Sequence, residues 1–322
     1  MPHPVRRAAV RGRVADLGDG ATLSVVSTPV RPRRRSPLQK VIAIAVMAFC
    51  ALVLAQLILS LLNNRNIDFG AIAHYQFAPT ILSGVGVTLL LTVIAMLLGI
   101  VLGVVLAVMA TGTVRPLRWL SGAYVWFFRG VPVLVQLIFW FNLGLVFHTL
   151  SLGLPFGPTL VRARTNTVIS GFTAAILGLG LNEGAYMAEI VRAGLLSVSH
   201  GQTEAARALG MRNGQVLRLV VLPQALRVVV PPTGNEVINM LKVTSLVSVI
   251  GGGDLLSHAE YIYSSNFLVP ELIVVATVWY LVMTTVATIG QGYLERRLAG
   301  GSSGATVRVR QTNLVERLLR KA

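Results

Sequence analysis

The stretch TEAARALGMRNGQVLRLVVLP, residues 203–223, is built unlike the chain on either side of it. Its neighbours are long apolar runs, whereas it mixes polar and apolar residues around a glycine break, the pattern of two short water-facing helices. Ser199 with Gln202 three residues on has the form of a capping box, Ala205, Ala206, Ala208 and Leu209 favour helix, and Gly210 suits a left-handed stop. A second turn is expected from Gln215 to Val221, ended by Leu222-Pro223, because proline disfavours helix in the residue before it. The segment therefore reads as helix, glycine elbow, short helix, with Ala205, Leu209, Leu217 and Val220 available for packing. Spacing alone fits two uses: a docking surface for a soluble partner, or a helix lying flat on lipid.

The surroundings of this stretch place it beside a bilayer. Of 322 residues, 54% are hydrophobic and only 12% charged, and the mean hydropathy is +0.71, too greasy for an ordinary soluble domain. A span needs roughly 20 mostly apolar residues. Six candidates meet that need: 41–62, 81–109, 131–149, 168–194, 228–250 and 267–291. The expected fold class is therefore all-α, a polytopic membrane protein of about six transmembrane helices.

Orientation follows from the basic residues, which short loops retain on the cytoplasmic side. With the N-terminus inside, the inner segments hold nine Lys and Arg in residues 1–40, then Arg115, Arg118 and Arg129, five from Arg192 to Arg227, and seven after residue 291. The outer loops hold only Arg65, Arg162 and Arg164, and Lys242 lies inside a span. Both termini are expected in the cytoplasm. This distribution also accounts for the net charge of +16 without a nucleic-acid partner. Residues 1–40, with the run RPRRRSP, read as a disordered basic tail against anionic lipid, and the basic stretch is too long for a cleaved signal peptide.

Catalytic signatures are missing. The chain has no GxxxxGK[ST] phosphate loop, HExxH, CxxC or GxSxG, its five histidines are scattered without metal-ligand spacing, and the single Cys50 excludes an intrachain disulfide. No cofactor or metal is expected on this chain, and it is not expected to be an enzyme by itself.

The set Glu204-Ala205-Ala206, Gly210, Val220 and Leu222-Pro223 resembles the EAA loop of bacterial ABC importer permeases, with valine where isoleucine is commoner. The likeness continues in FRGVPVLVQLIFWF (128–141), LNEGAYMAEIVRAGLLSVSHGQ (181–202) and VVPPTGNEVINMLKVTSLVSVI (229–250), which are similar to permeases of polar amino acid importers and extend it over about residues 80–295. The sequence departs from the pattern at Val131, where Thr is frequent, and at Val243, where Asp, Asn or Thr is common. Residues 41–62 add a span to a five-helix core. The resemblance implies that the loop, 196–223, is a coupling helix seated in a separate ATPase subunit, with Glu204, Ala205, Ala206, Gly210, Leu222 and Pro223 as its coupling residues. It further implies ATP and Mg on that partner, an extracytoplasmic amino-acid-binding protein, a second permease copy or related subunit, and a place in the bacterial cytoplasmic membrane.

Ionisable groups inside spans are costly and usually face a cavity or a partner. In the fourth candidate span Asn182, Tyr186 and Glu189 recur at helical spacing with Glu183 alongside, and in the fifth Asn235, Asn239 and Lys242 do the same, with Glu236, Thr244 and Ser245 nearby. Two polar stripes suggest a wet substrate pathway, with Lys242 and Glu183 or Glu236 meeting the two charges of an amino acid zwitterion. The alternative is that these groups pair with each other, carboxylate to Lys242, and hold the bundle together. Gly99 and Gly103, and Gly180 and Gly184, form GxxxG spacings that let helices approach closely, within the chain or between subunits. Residues 296–322 read as a cytoplasmic tail, with a GGSSG linker at 300–304 and an amphipathic end against lipid or partner. The rival reading is a secondary transporter or channel; inverted repeats would favour it, and no convincing internal repeat is found.

Overall fold

Apolar periodicity becomes helix almost everywhere. The computed structural model describes residues 37–63, 67–153 and 159–299; the two expected tails, apart from residues 37–40 and 296–299, lie outside the described residues. In chain order the elements are α1 (Pro37–Leu62), α2 (Phe69–Gln76), α3 (Pro79–Thr111), α4 (Arg115–Gly130), α5 (Val133–Phe141), α6 (Leu143–Val146), β1 (Thr149–Gly153), β2 (Thr159–Arg164), α7 (Thr165–Val168), α8 (Gly171–Leu196), α9 (His200–Ala208) and α10 (Asn213–Gln215). A π-helical turn (Val216–Val221), α11 (Leu222–Val243), a 3-10 turn (Thr244–Ile250), α12 (Leu255–Asn266) and α13 (Val269–Ala299) complete it.

α1 belongs to a unit of its own and is apolar on all sides. In the second unit three described helices are long and apolar enough to cross a membrane: Pro79–Thr111, Asn213–Ile250 and Val269–Leu298. α4 and α5 supply a fourth crossing when taken together, bent by 97°. α8 is 26 residues long, about 39 Å at 1.5 Å per residue, which is enough to span. Its polar residues are tolerated because the helix is the buried centre of the unit, with Ala174, Ala175, Leu179, Ala185, Met187 and Ala188 almost fully covered.

The expected third span, 131–149, is not one continuous helix. The helical run starts at Arg115, breaks at Pro132, which has no backbone N–H, into the bent pair α4–α5, a broken span or a re-entrant pair, and leaves helix for a β-hairpin at Thr149. β1 pairs antiparallel with β2, Thr149 opposite Arg164 and Leu152 opposite Val161, the one departure from all-helical structure among the described residues.

The α3–α8 contact is the seam of the molecule. A Cβ added to Gly99 would lie 2.4 Å from Glu183 Cγ, and one added to Gly103 would lie 2.4 Å from Met187 Cβ. Gly180 and Gly184 return the favour, meeting the side chains of Leu98 and Leu102. Lipid tails are as apolar as leucine, so burial alone drives little association in a bilayer, and close van der Waals approach through glycine takes its place. Both GxxxG spacings are thus occupied within the chain.

Candidate functional site

Two sites stand apart in the second unit: a cavity between α4, α5, α8 and α11, and the exposed loop that links α8 to α11.

The bend between α4 and α5 makes the cavity. Breaking a helix frees carbonyls that must be satisfied internally at membrane depth. Here Gln136, 4% exposed, donates from Nε2 to Phe128 O at 3.0 Å and to Val131 O at 2.9 Å, and Asn182 Nδ2 of α8 donates to Phe128 O at 2.7 Å. Tyr124 OH adds a bond to Leu181 O at 2.8 Å, so α4 is tied to α8 at two points just before the bend. The splayed corner leaves a cavity of about 290 Å³ whose polar wall is Arg129, Asn182, Glu183, Tyr186, Glu236 and Asn239. The Arg129 guanidinium lies 5.1 Å from the centroid of the Tyr186 ring, a cation–π distance. Glu183 is 4% exposed, and its Oε1 has no hydrogen-bond partner.

Of the pathway residues read from the sequence, the cavity brings together Asn182, Glu183, Glu236 and Asn239. The others lie elsewhere. Glu189 turns away to Arg192, Oε2 to Nη2 at 2.7 Å. Asn235 Oδ1 accepts from Gln291 Nε2 at 3.0 Å and serves the α11–α13 contact. Thr244 and Ser245 spend their hydroxyls on Leu241 O and Lys242 O, each at 2.7 Å, in the tightened 3-10 turn. Lys242 is exposed and off the cavity wall, and the carboxylate pairing expected of it is not formed. Among the described residues the ion pairs are Arg192–Glu189 and His200–Glu204.

The cation that sequence reasoning missed is Arg129. The charge distribution puts it in a cytoplasmic turn, because the expected span begins at 131. A signal was available: Arg129 follows AYVWFF and precedes VPVLVQLIFWF, a lone charge inside a run otherwise long enough to cross.

The loop is helix, elbow, helix. α9 ends in a Schellman motif, with Gly210 N donating to Arg207 O at 2.9 Å and Met211 N to Ala206 O at 3.2 Å. Gly210 sits at φ +80°, the left-handed region, with open space where a side chain would be. Two details differ from expectation. Ser199 makes no side-chain cap; Gln202 instead accepts at Oε1 from Gln224 Nε2, tying α9 to α11. Leu222-Pro223 does not end the second helix, which runs on into α11 with Pro223 in its first turn. The wide π turn before it removes the clash that a proline ring makes with the carbonyl four residues back.

Only Ala206 and Val216 of this loop are buried; Leu209 is 84% exposed and Leu219 62%. Glu204 is exposed and reaches His200 Nδ1 at 3.1 Å. Ala205, Gly210, Leu222 and Pro223 are exposed as well, so of the six coupling residues Ala206 alone is packed inward.

Residues 99–300 match the family described as binding-protein-dependent transport system inner membrane component. The chain is 38% identical over 292 residues to the arginine transport system permease protein ArgU of Corynebacterium glutamicum, covering 90% of each. It is 38% identical to the probable glutamine ABC transporter permease protein GlnM of Bacillus subtilis, over 66% of this chain and 89% of that one. Among solved structures, a chain of an amino acid ABC transporter crystallised with histidines is 35% identical and covers 72% of this chain and 99% of its own, with a TM-score of 0.61. A chain of the MetNI methionine ABC transporter, 22% identical with a TM-score of 0.52, shares the fold.

Proposed function

The chain belongs to the binding-protein-dependent transport system inner membrane component family, and from that premise we propose how it works as the membrane-spanning permease of an ATP-driven amino acid importer. It is a multi-pass protein of the cytoplasmic membrane and a transport subunit rather than an enzyme. The permease domain covers residues 80–295, with both termini on the cytoplasmic side in keeping with the distribution of Lys and Arg. ATP and Mg belong to a pair of separate ATPase subunits. Two ATPases call for two docking loops, hence a second permease copy or a related subunit, and an extracytoplasmic binding protein delivers the amino acid.

The observation that carries this reading is the loop from α9 to the π turn. Its apolar residues Leu209, Leu217 and Leu219 are exposed, its elbow is held by a left-handed glycine, and its π turn continues without a break into α11, which also walls the cavity. A push on α9 is therefore transmitted along α11 to Glu236 and Asn239. Closure of the ATPase pair on ATP rocks these helices from inward-open to outward-open, and hydrolysis resets them. Substrate passes through the cavity, in contact with Asn182, Glu183, Glu236 and Asn239.

The test is purification in mild detergent followed by reconstitution. An ATPase subunit should accompany the chain, and vesicles loaded with ATP and Mg on the cytoplasmic face should accumulate an amino acid when the binding protein is added. Uptake that proceeds equally without nucleotide would instead support an ion-gradient-driven transporter.

A further inference from the structure

Resting on that importer reading, we infer that the β1–β2 hairpin is a dock for the extracytoplasmic binding protein, with Arg162 and Arg164 meeting carboxylates on that partner. The hairpin precedes α8 and the coupling loop follows it, so the two stand at opposite ends of a helix about 39 Å long. With the loop in the cytoplasm, the hairpin is on the outside. The bias that keeps basic residues on the inner side leaves only Arg65, Arg162 and Arg164 in the outer loops. Two of those three sit together on β2.

The register decides what the hairpin shows. Thr149 pairs with Arg164, Leu150 with Ala163 and Ser151 with Arg162, and residues paired across an antiparallel ladder share a face. One face carries Val161, Leu150 and Ala163, the last two half-buried, with Leu150 packed on the core cluster that holds Leu143 and Ile169. The other carries Thr149, Ser151, Arg162 and Arg164, all four exposed. Two residues along a strand are about 7 Å apart, and among the described residues neither arginine is ion-paired. Like charges held this close repel, and a partner that brings carboxylates relieves them. None of these four residues is apolar, whereas an element that lies on lipid turns an apolar face to the acyl chains. The complement of this face is an acidic protein surface.

The mount is firm. Thr165, fully buried where β2 ends, donates its N–H to His148 O at 3.1 Å and its hydroxyl to Phe147 O. Gly171, first residue of α8, lies against the turn that closes the 3-10 segment after α11: a Cβ there would be 2.9 Å from Ile250 O and 3.1 Å from Gly251 O. A load on the hairpin therefore falls on the ends of the two helices, α8 and α11, that wall the cavity.

The experiment uses the transporter in lipid nanodiscs and, as probe, the fluorescently labelled binding protein whose addition supports uptake in vesicles. Arg162→Glu combined with Arg164→Glu should slow association of the probe about tenfold or more, and the difference should shrink as salt rises. ATPase activity at saturating binding protein should stay near that of the unaltered transporter. A photo-crosslinking amino acid in place of Ser151 should give a product with the binding protein. Should the double variant fail to fold, that crosslink decides. Unchanged association in the double variant, or crosslinks from position 151 to phospholipid alone, would overturn the inference. Nucleotide-driven, binding-protein-dependent uptake with unchanged association in the double variant would overturn it and leave the importer reading standing. Slowed association in a transporter whose uptake proceeds without nucleotide would support the dock and overturn the ATP-driven reading. Uptake that no binding protein stimulates would overturn both.

Discussion

The α3–α8 seam and the loop from α9 to the π turn are both organised around glycines, and the glycines do opposite things. In the seam, Gly99, Gly103, Gly180 and Gly184 are spent on contact: each makes room for a named side chain of the facing helix. In the loop, Gly210 is spent on conformation: it takes φ +80°, with open space where a side chain would be. The seam satisfies itself inside the chain. The loop leaves Leu209 and Leu219 facing outward and closes no contact of its own with them. That contrast is what the proposed coupling role requires: a seam closed within the chain, and an apolar loop surface left for a partner.

Substitutions can break this contrast, and the largest effect belongs to the seam. Gly103→Leu would place a Cβ 2.8 Å from the Met187 backbone, which cannot give way as a side-chain end can. Overpacking of this kind costs about 3 kcal/mol at the upper end of its usual range. The expected outcome is loss of a monodisperse protein in detergent chromatography, with the loop variants below unaffected in the same assay.

Gln136→Leu comes next, because it strands Val131 O at the α4–α5 bend and leaves Phe128 O with Asn182 alone, a penalty of roughly 1–3 kcal/mol. Thermal unfolding should fall, and amino acid uptake should fall with it, since the bend positions Arg129 on the cavity wall. The loop responds in a different currency. Gly210→Val should cost roughly 1–2 kcal/mol of backbone strain confined to the elbow, lowering binding-protein-stimulated ATPase activity while leaving the unfolding temperature of the permease nearly unchanged. Gly210→Asn should retain more activity, because asparagine tolerates the left-handed region better. Smallest of all, Glu189→Gln removes a half-exposed pair with Arg192 at i,i+3 spacing, worth under about 0.5 kcal/mol, and should leave stability within error by thermal unfolding.

Much of this was legible in the residues. The glycine elbow, the helix before it and the long apolar runs follow from local rules of periodicity and backbone freedom, which need no tertiary context. The facing polar groups on α8 and α11 were readable for the same reason, helical spacing. What was not legible depended on where a helix bends. The break at Pro132 makes the bent pair α4–α5 out of one apolar run, which puts Arg129 on a cavity wall rather than in a loop. Lys242 went the other way: the sequence places it on a span, and only the packing of α11 decides which side of that helix it occupies. Pro223 shows a third case, in which a π turn absorbs a residue that would otherwise end a helix.

The claim that the loop is a handle held by another polypeptide is tested most directly by a photo-crosslinking amino acid at position 209, in membranes of cells expressing the intact transporter. The account predicts a crosslinked product of this chain with a nucleotide-binding subunit, whose yield changes when ATP is added. Crosslinks to phospholipid alone, with or without ATP, would contradict it.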